Sequence, residues 1–305
     1  MFAKFFEALY RKVFINIIVK RASTVVYVEL YSKKGSANNI HAEFETIQLD
    51  GKLLEFIQNY VRESPCCYIA LLDYSNLQGA LPTCSKDQLP YYFDLNNCEY
   101  KCYNGEWIYY TSKSELREIE KIYKETGVDF IFSPFVVLAN FFKDNISGNL
   151  ALYALVQESF ISIAVFENSK LLYAEHIDMQ TTSEMDGILL TNDVEDDGLE
   201  LENIDESKDA KESLLDGDDI LEEVDNGSFN EDYQRFSLIQ TSVAHFYKDE
   251  KYESAFLESI YIADAVGVSG DLKKYLEEEM FLNVYIKEAK IDAEVCKLAK
   301  EELGL

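Results

Sequence analysis

The chain has 305 residues, enough for two packed cores, and a net charge of −28. That charge argues against a nucleic-acid footprint, which would need a basic face. No run of about 18 apolar residues occurs, so no helix is expected to span a bilayer.

The charge is concentrated. Twenty of the 56 acidic residues lie between Glu184 and Asp232, opposed only by Lys208 and Lys211. Outside that stretch the net charge is about −10, ordinary for a soluble protein. Six cysteines occur, at 66, 67, 84, 98, 102 and 296. With no visible secretory signal they are expected to be reduced thiols in a cytoplasm.

Met1–Tyr10 places Phe2, Phe5, Phe6 and Leu9 on one side, and Lys4, Arg11, Lys12, Lys20 and Arg21 make a basic patch. A shallow membrane-surface anchor through residues 1–21 and a terminal helix packed on the body are both open. Val13–Val19, Thr24–Tyr31 and His41–Ile47 read as strands, with a turn cluster at Lys33–Asn39. Asp50–Glu63 has helical spacing, and Cys67–Tyr74 reads as a buried strand.

Asp73–Thr83 reads as a loop, and a Tyr-rich lobe is expected over about 82–111, with a hairpin turn at Asn104-Gly105. Ser112–Thr126 reads as a helix ended by Gly127, Val128–Phe132 as a strand, and Phe135–Lys143 as a helix opened by Pro134. Leu150–Gln157, Phe160–Glu167 and Leu171–Ile177 form an apolar meander. The acidic stretch, about 181–228, has a composition that opposes compaction; it is either a solvated insertion or a docking tail for a basic partner. Phe229–Lys248 is expected to be a long helix. A strand at Phe256–Ala263, a helix at Gly270–Met280, a strand at Leu282–Ile286 and a helix at Asp292–Leu303, capped by Asp292, should close the chain.

Each half thus reads as a strand meander followed by helix, strand and helix. In this plan the chain resembles the actin-like ATPases, and within them the PilM family of type IV pili and the cytoplasmic domain of the GspL family of type II secretion. Glu115–Asn140, Leu150–Asp178 and Phe256–Gly304 carry the resemblance. It implies an α/β duplicated actin-like (ribonuclease H-like) fold: two lobes with mixed sheets flanked by helices, plus small inserted subdomains. The halves would be 1–146 and 147–305.

The resemblance also implies a nucleotide cleft between two hairpin turns, each built around an Asp-x-Gly type sequence. Here the first turn, Lys20–Thr24, has neither Asp nor Gly. The second, Val156–Phe160, has Glu158 and no Gly. The adenosine-side turn, Ala263–Gly270, keeps Gly267 and Gly270 but has Asp264-Ala265 where a Gly pair is usual. A pseudo-ATPase without catalytic residues is expected. The alternative is an ATP-binding switch or weak ATPase holding ATP and magnesium through Glu158, Gly267 and Gly270; a small-molecule kinase lacks a nominated base.

Three further implications concern partners. The chain would lie at the cytoplasmic face of an inner membrane, in a type IV pilus, type II secretion or flagellar-motor-associated machine. It would bind a short cytoplasmic peptide of a bitopic protein of PilN or GspM type, with an assembly ATPase as a further partner. The peptide groove would involve Asp73, Leu81, Tyr91, Tyr92, Tyr103 and Tyr109.

Other site patterns are weak. Cys98-x3-Cys102 with Cys66, Cys67 and Cys84 lacks two closely spaced zinc pairs. Asp193–Gly198 resembles half a calcium loop, but Ile204 stands where the bidentate Glu should be. His41, His176 and His245 fall in different elements, and no P-loop or hydrolase motif occurs.

Overall fold

The computed structural model describes residues 10–31, 38–146, 148–179, 226–249, 251 and 256–305, with backbone only for 226–230. The basic, Phe-rich segment before Tyr10, most of the Lys33–Asn39 turn cluster, and the acidic stretch with its half calcium loop lie outside the described residues.

The first sheet holds β1 (Lys12–Val19), β2 (Thr24–Tyr31), β3 (Asn38–Phe44), β4 (Cys67–Leu72) and β8 (Phe130–Phe132), in the order β3-β2-β1-β4-β8. The second holds β9 (Ala151–Val156), β10 (Phe160–Glu167), β11 (Lys170–Asp178), β12 (Ser259–Asp264) and β13 (Asn283–Glu288), in the order β11-β10-β9-β12-β13. In both, the first three strands form an antiparallel meander and the next two add in parallel beside the first. One plan is therefore built twice, and this is the duplicated actin-like fold.

The central strands are buried on both faces, which explains their continuous apolar runs. All six residues of β9 are buried. In β1 the interruption is Asn16, whose amide nitrogen donates to the Tyr27 carbonyl at 3.2 Å. Helix α1 (Gly51–Glu63) starts where the Asp50 carboxylate accepts the Leu53 N–H at 2.8 Å. It covers the outer face of the first sheet with Ile119 of α3 (Lys113–Ile122) and Tyr123 just beyond it. Helices α5 (Asn226–Lys248) and α6 (Gly270–Met280) cover the outer face of the second.

Between the sheets run α4 (Pro134–Phe141) and α7 (Ile291–Glu302). Seven of the eight residues of α4 are buried, since the helix lies between the second sheet and α7. One apolar core joins Phe14, Ile18 and Ala70 of the first sheet to Tyr153, Leu155 and Phe166 of the second through Phe135, Val137, Val295 and Ala299. Buried Glu29 on β2 holds α7 down: it accepts two hydrogen bonds from Lys300, at 2.9 and 3.0 Å.

Four expectations are corrected. Gln78–Leu81, read as loop, is strand β5, pairing with β7 (Trp107–Ser112), which pairs in turn with β6 (Cys98–Tyr103). Gly79 disguised it: a Cβ there would lie 2.5 Å from the Tyr110 hydroxyl, so the strand needs a glycine where the ring crosses. Strand β3 begins at Asn38 and ends at Phe44, not at Ile47. Asp292 does not cap α7; Lys290 holds that position, and Asp292 instead meets His41 at 3.2 Å. The thiols are not all reduced: Cys84 and Cys102 are joined in a disulfide, because the segment after β5 passes β6 with Cα atoms 5.6 Å apart.

The lobe of β5, β6, β7 and the short helix α2 (Leu89–Tyr92) has its own small core of Leu81, Leu89, Cys98, Ile108 and Tyr110. Trp107 anchors it to the body, with its ring 6.2 Å from Phe166. Gln78 reaches His176 of β11 at 3.3 Å.

Candidate functional site

Two hairpin turns face each other across the joint between the halves. Lys20–Ser23 links β1 to β2, closed by the Lys20 N–H donating to the Ser23 carbonyl at 2.8 Å. Gln157–Ser159 links β9 to β10, closed by the Gln157 N–H donating to the Phe160 carbonyl at 2.9 Å. With the turn after β12 and the connection from β13 to α7, they line a cavity of about 700 Å³. Its floor is apolar, with Ile18, Val25, Val266 and Ile291; its rim carries Lys20, Glu43, Glu158, Asp264, Glu288, Lys290 and Asp292.

The cationic groups of the first turn are already committed. The Lys20 ammonium lies 3.2 Å from a carboxylate oxygen of Glu158 and 3.2 Å from one of Glu43. Burial works against its charge, but the hydrogen bonds to Glu158 and Glu43 outweigh this and hold its pKa above the ordinary lysine value. A hydrogen bond from Ser23, then that from Lys20, lowers the pKa of Glu43. Arg21 donates to the Glu158 carbonyl at 3.3 Å and meets Glu231 of α5, also at 3.3 Å.

The third turn is filled as well. The Asp264 carboxylate accepts the N–H groups of Val266, Gly267 and Val268 at 3.0, 2.9 and 3.0 Å. Three successive backbone N–H groups form an anion-binding concavity, here occupied by the chain's own carboxylate. Gly267, at φ +78°, lets the turn curl around it. The start of α6 is likewise satisfied: Ser269 accepts the Asp271 N–H at 3.1 Å, and its own N–H donates to Asp232 at 2.8 Å. Asp232 is held in turn by Arg235 at 2.7 Å.

Of the three expected nucleotide contacts, Glu158 and Gly267 line the cavity and Gly270 does not. Lys20, Arg21 and Asp264 were missed. Their signal was the very substitution that marks the turns: charged side chains where the resemblance implies glycines.

The six expected peptide contacts are not brought together in one groove. Asp73 is buried at the end of β4, where it accepts the Ser75 N–H at 2.9 Å; burial pushes its carboxyl pKa up, against that bond. Leu81 belongs to the lobe core, and Tyr92 packs against it. Tyr91 is 63% exposed, edge-on to Tyr92. Tyr103 and Tyr109 flank Trp107 and pack on the main core; burial, then Glu302 of α7, pushes the Tyr109 hydroxyl up to about 12. The physical reason is the strand period: residues 103 and 109 lie on the sheet face that docks on the body.

A second recess, about 420 Å³, does adjoin the expected segment. It is lined by Tyr74, Ser75 and Asn76, by Glu115, Glu118 and Ile122 on α3, and by Ile47 and Phe160. Ile47 and Ile122 are 49% and 40% exposed there. Among the described residues, no group of three or more His, Cys, Asp or Glu side chains is placed to hold a metal ion. No described helix is long and apolar enough to cross a membrane.

Comparison with solved structures agrees with the topology. The PilM–PilN type IV pilus biogenesis complex is similar over 91% of this chain and 88% of the matched one, with 10% identity and a TM-score of 0.50. A Bacteroides thetaiotaomicron protein of unknown function with an actin-like ATPase fold covers 93% and 95%, at 15% identity and TM-score 0.48. MreB 5 of Spiroplasma citri, solved with AMPPNP, covers 96% and 97%, at 11% identity and TM-score 0.48. At these identities the likeness is one of fold alone. No curated protein matches the chain. Two family models do: a domain of unknown function, DUF8569, over residues 10–139, and another, DUF8341, over residues 152–304, which is half of the chain. The chain therefore belongs to the DUF8341 family, with that domain forming the second half of an actin-like fold.

Proposed function

We propose that this protein is a non-catalytic actin-like scaffold of a bacterial envelope machine, bound at the cytoplasmic face of the inner membrane through a short peptide of a bitopic partner of PilN or GspM type. The observation that carries the reading is the occupation of the phosphate end of the cleft by the chain's own charges. Lys20 is spent on Glu158, and the amides after β12 are spent on Asp264. A triphosphate entering this site would have to displace two carboxylates from their partners. The remaining rim, with Glu288 and Asp292 against Lys290, is net negative and adds like-charge repulsion.

The solved PilM–PilN complex, of the same fold, supports the partner class. We place the peptide in the recess beside Tyr74–Asn76 and α3, where half-exposed Ile47 and Ile122 stand next to Glu115 and Glu118. Lys20 and Arg21 line the recess too, and the Glu115 carboxylate is taken by the N–H groups of Asn76 and Leu77, so what the recess offers a peptide is the apolar surface of Ile47 and Ile122. Affinity capture from detergent-solubilised membranes tests the reading. The wild-type chain should retain a single-span membrane protein that Ile122→Glu loses. Capture of no such protein, or equal capture by the variant, would overturn it. A nucleotide-binding switch is the competing reading; what favours it is the cavity itself, which is still large enough for a nucleoside.

A further inference from the structure

The lobe carries an unassigned site. The Cys84–Cys102 disulfide joins residues 18 apart in sequence and closes the segment that runs from just after β5 into β6. Cys102 is exposed on edge strand β6, and Cys84 is half-buried, its sulfur 3.4 Å from the Trp107 carbonyl oxygen. The closed segment includes α2, with exposed Tyr91 and half-buried Tyr92. Beside the cross-link, α2 is held by Leu89 in a lobe core of only five buried residues and by Phe93, whose ring stacks on Tyr110 at 4.8 Å; α2 itself is a single turn. A cross-link matters most where the core is this small.

The other four cysteines are poor partners for exchange. Cys66, Cys98 and Cys296 are buried. Cys67 is half-buried, and burial, then Asp129, pushes its thiol up to about 12, leaving almost no thiolate at neutral pH. Thiol chemistry is therefore confined to one bond, whose accessible sulfur is that of Cys102.

We propose that Cys84–Cys102 is a thiol–disulfide exchange site for a dithiol reductant, and that its state sets the order of the segment carrying Tyr91 and Tyr92. One thiolate of the reductant attacks the Cys102 sulfur, and the S–S electron pair leaves on Cys84, which takes up a proton. The second reductant thiolate then attacks its own sulfur in the mixed disulfide and expels Cys102 as thiolate. Two cysteine thiols form, and the dithiol becomes a disulfide. Once open, residues 85–97, with α2, lose the cross-link to Cys102, while β6 and β7 stay paired and anchored by Trp107.

The test uses the full chain, folded, with dithiothreitol as probe. Iodoacetamide labelling read by mass spectrometry should find Cys84 and Cys102 unlabelled before reduction. After it both should be labelled, with Cys66, Cys98 and Cys296 still protected. Trypsin cleavage after exposed Lys86, within the closed segment, should speed up at least tenfold on reduction. The far-ultraviolet circular dichroism should hold. A Cys84→Ser, Cys102→Ser variant should be cut at the fast rate with or without dithiothreitol. Should that variant fail to fold, the wild-type pair alone decides. Labelling of both cysteines before reduction, or an unchanged cleavage rate after it, would overturn the proposal.

Discussion

The Lys20 ammonium meets the Glu158 carboxylate at 3.2 Å, so the hairpin turn of one half is neutralised by that of the other. Arg21 adds a bond to the Glu158 carbonyl and a contact to Glu231. Both bridges lie where the two halves would have to part around a polyphosphate.

These bridges and the Asp264 turn should differ sharply in energy. Lys20 and Glu158 side chains are 32% and 40% exposed, so solvent screens them. Lys20→Ala should cost less than about 1 kcal/mol, and less again in high salt. Asp264 is buried and satisfies three N–H groups. Asp264→Ala strands all three and should cost roughly 2–3 kcal/mol, with little salt dependence. Urea denaturation at low and high salt distinguishes the two.

Gly79→Ala should destabilise the lobe. The added methyl would fall 2.5–2.9 Å from the end of the Tyr110 ring, which is itself buried. An overpacked strand crossing of this kind costs about 1–3 kcal/mol. Pairing it with Tyr110→Leu should recover part of the loss, since the obstructing ring is gone. Thermal denaturation of the single and double variants checks this.

Acid should weaken the docking of the lobe on the second half. His176 is enclosed by Ser162, Gln78, Phe135 and Phe160, with no charged neighbour bonded to it. Its Nε2 lies 3.3 Å from the Gln78 amide nitrogen and its Nδ1 2.9 Å from the Ser162 hydroxyl. Burial lowers its pKa from 6.5 to about 4. Between those values the unfolded chain binds the proton and the folded chain does not. Stability must therefore fall as pH drops from about 6.5 to about 4, by roughly 3 kcal/mol at the lower end. Asp73, whose pKa burial raises, acts in the opposite sense. Unfolding free energy measured across this window should flatten in His176→Asn.

Much of the fold was legible because its central strands are buried on both faces. Val13–Val19 and Leu150–Gln157 read as strands from their apolar runs, helical spacing marked Asp50–Glu63, and Pro134 opened its helix by its first-turn preference. What stayed hidden depended on contacts far along the chain. The Tyr110 ring that makes Gly79 a strand residue lies on another strand. The partnership of Cys84 with Cys102 follows from how the lobe folds, and a spacing of 18 residues says nothing of it. At the site, the missing glycines were legible as loss. That charged side chains had taken over the vacated roles was visible only once Lys20 faced Glu158 and Asp264 turned back on its own amides.

Titration of the full chain with MgATP in a calorimeter tests the central claim most directly. A closed phosphate end predicts no saturable heat up to millimolar nucleotide, an affinity weaker than about 1 mM. Saturable 1:1 binding tighter than roughly 100 μM, lost on Gly267→Trp, would contradict it and establish the cleft as a working nucleotide site.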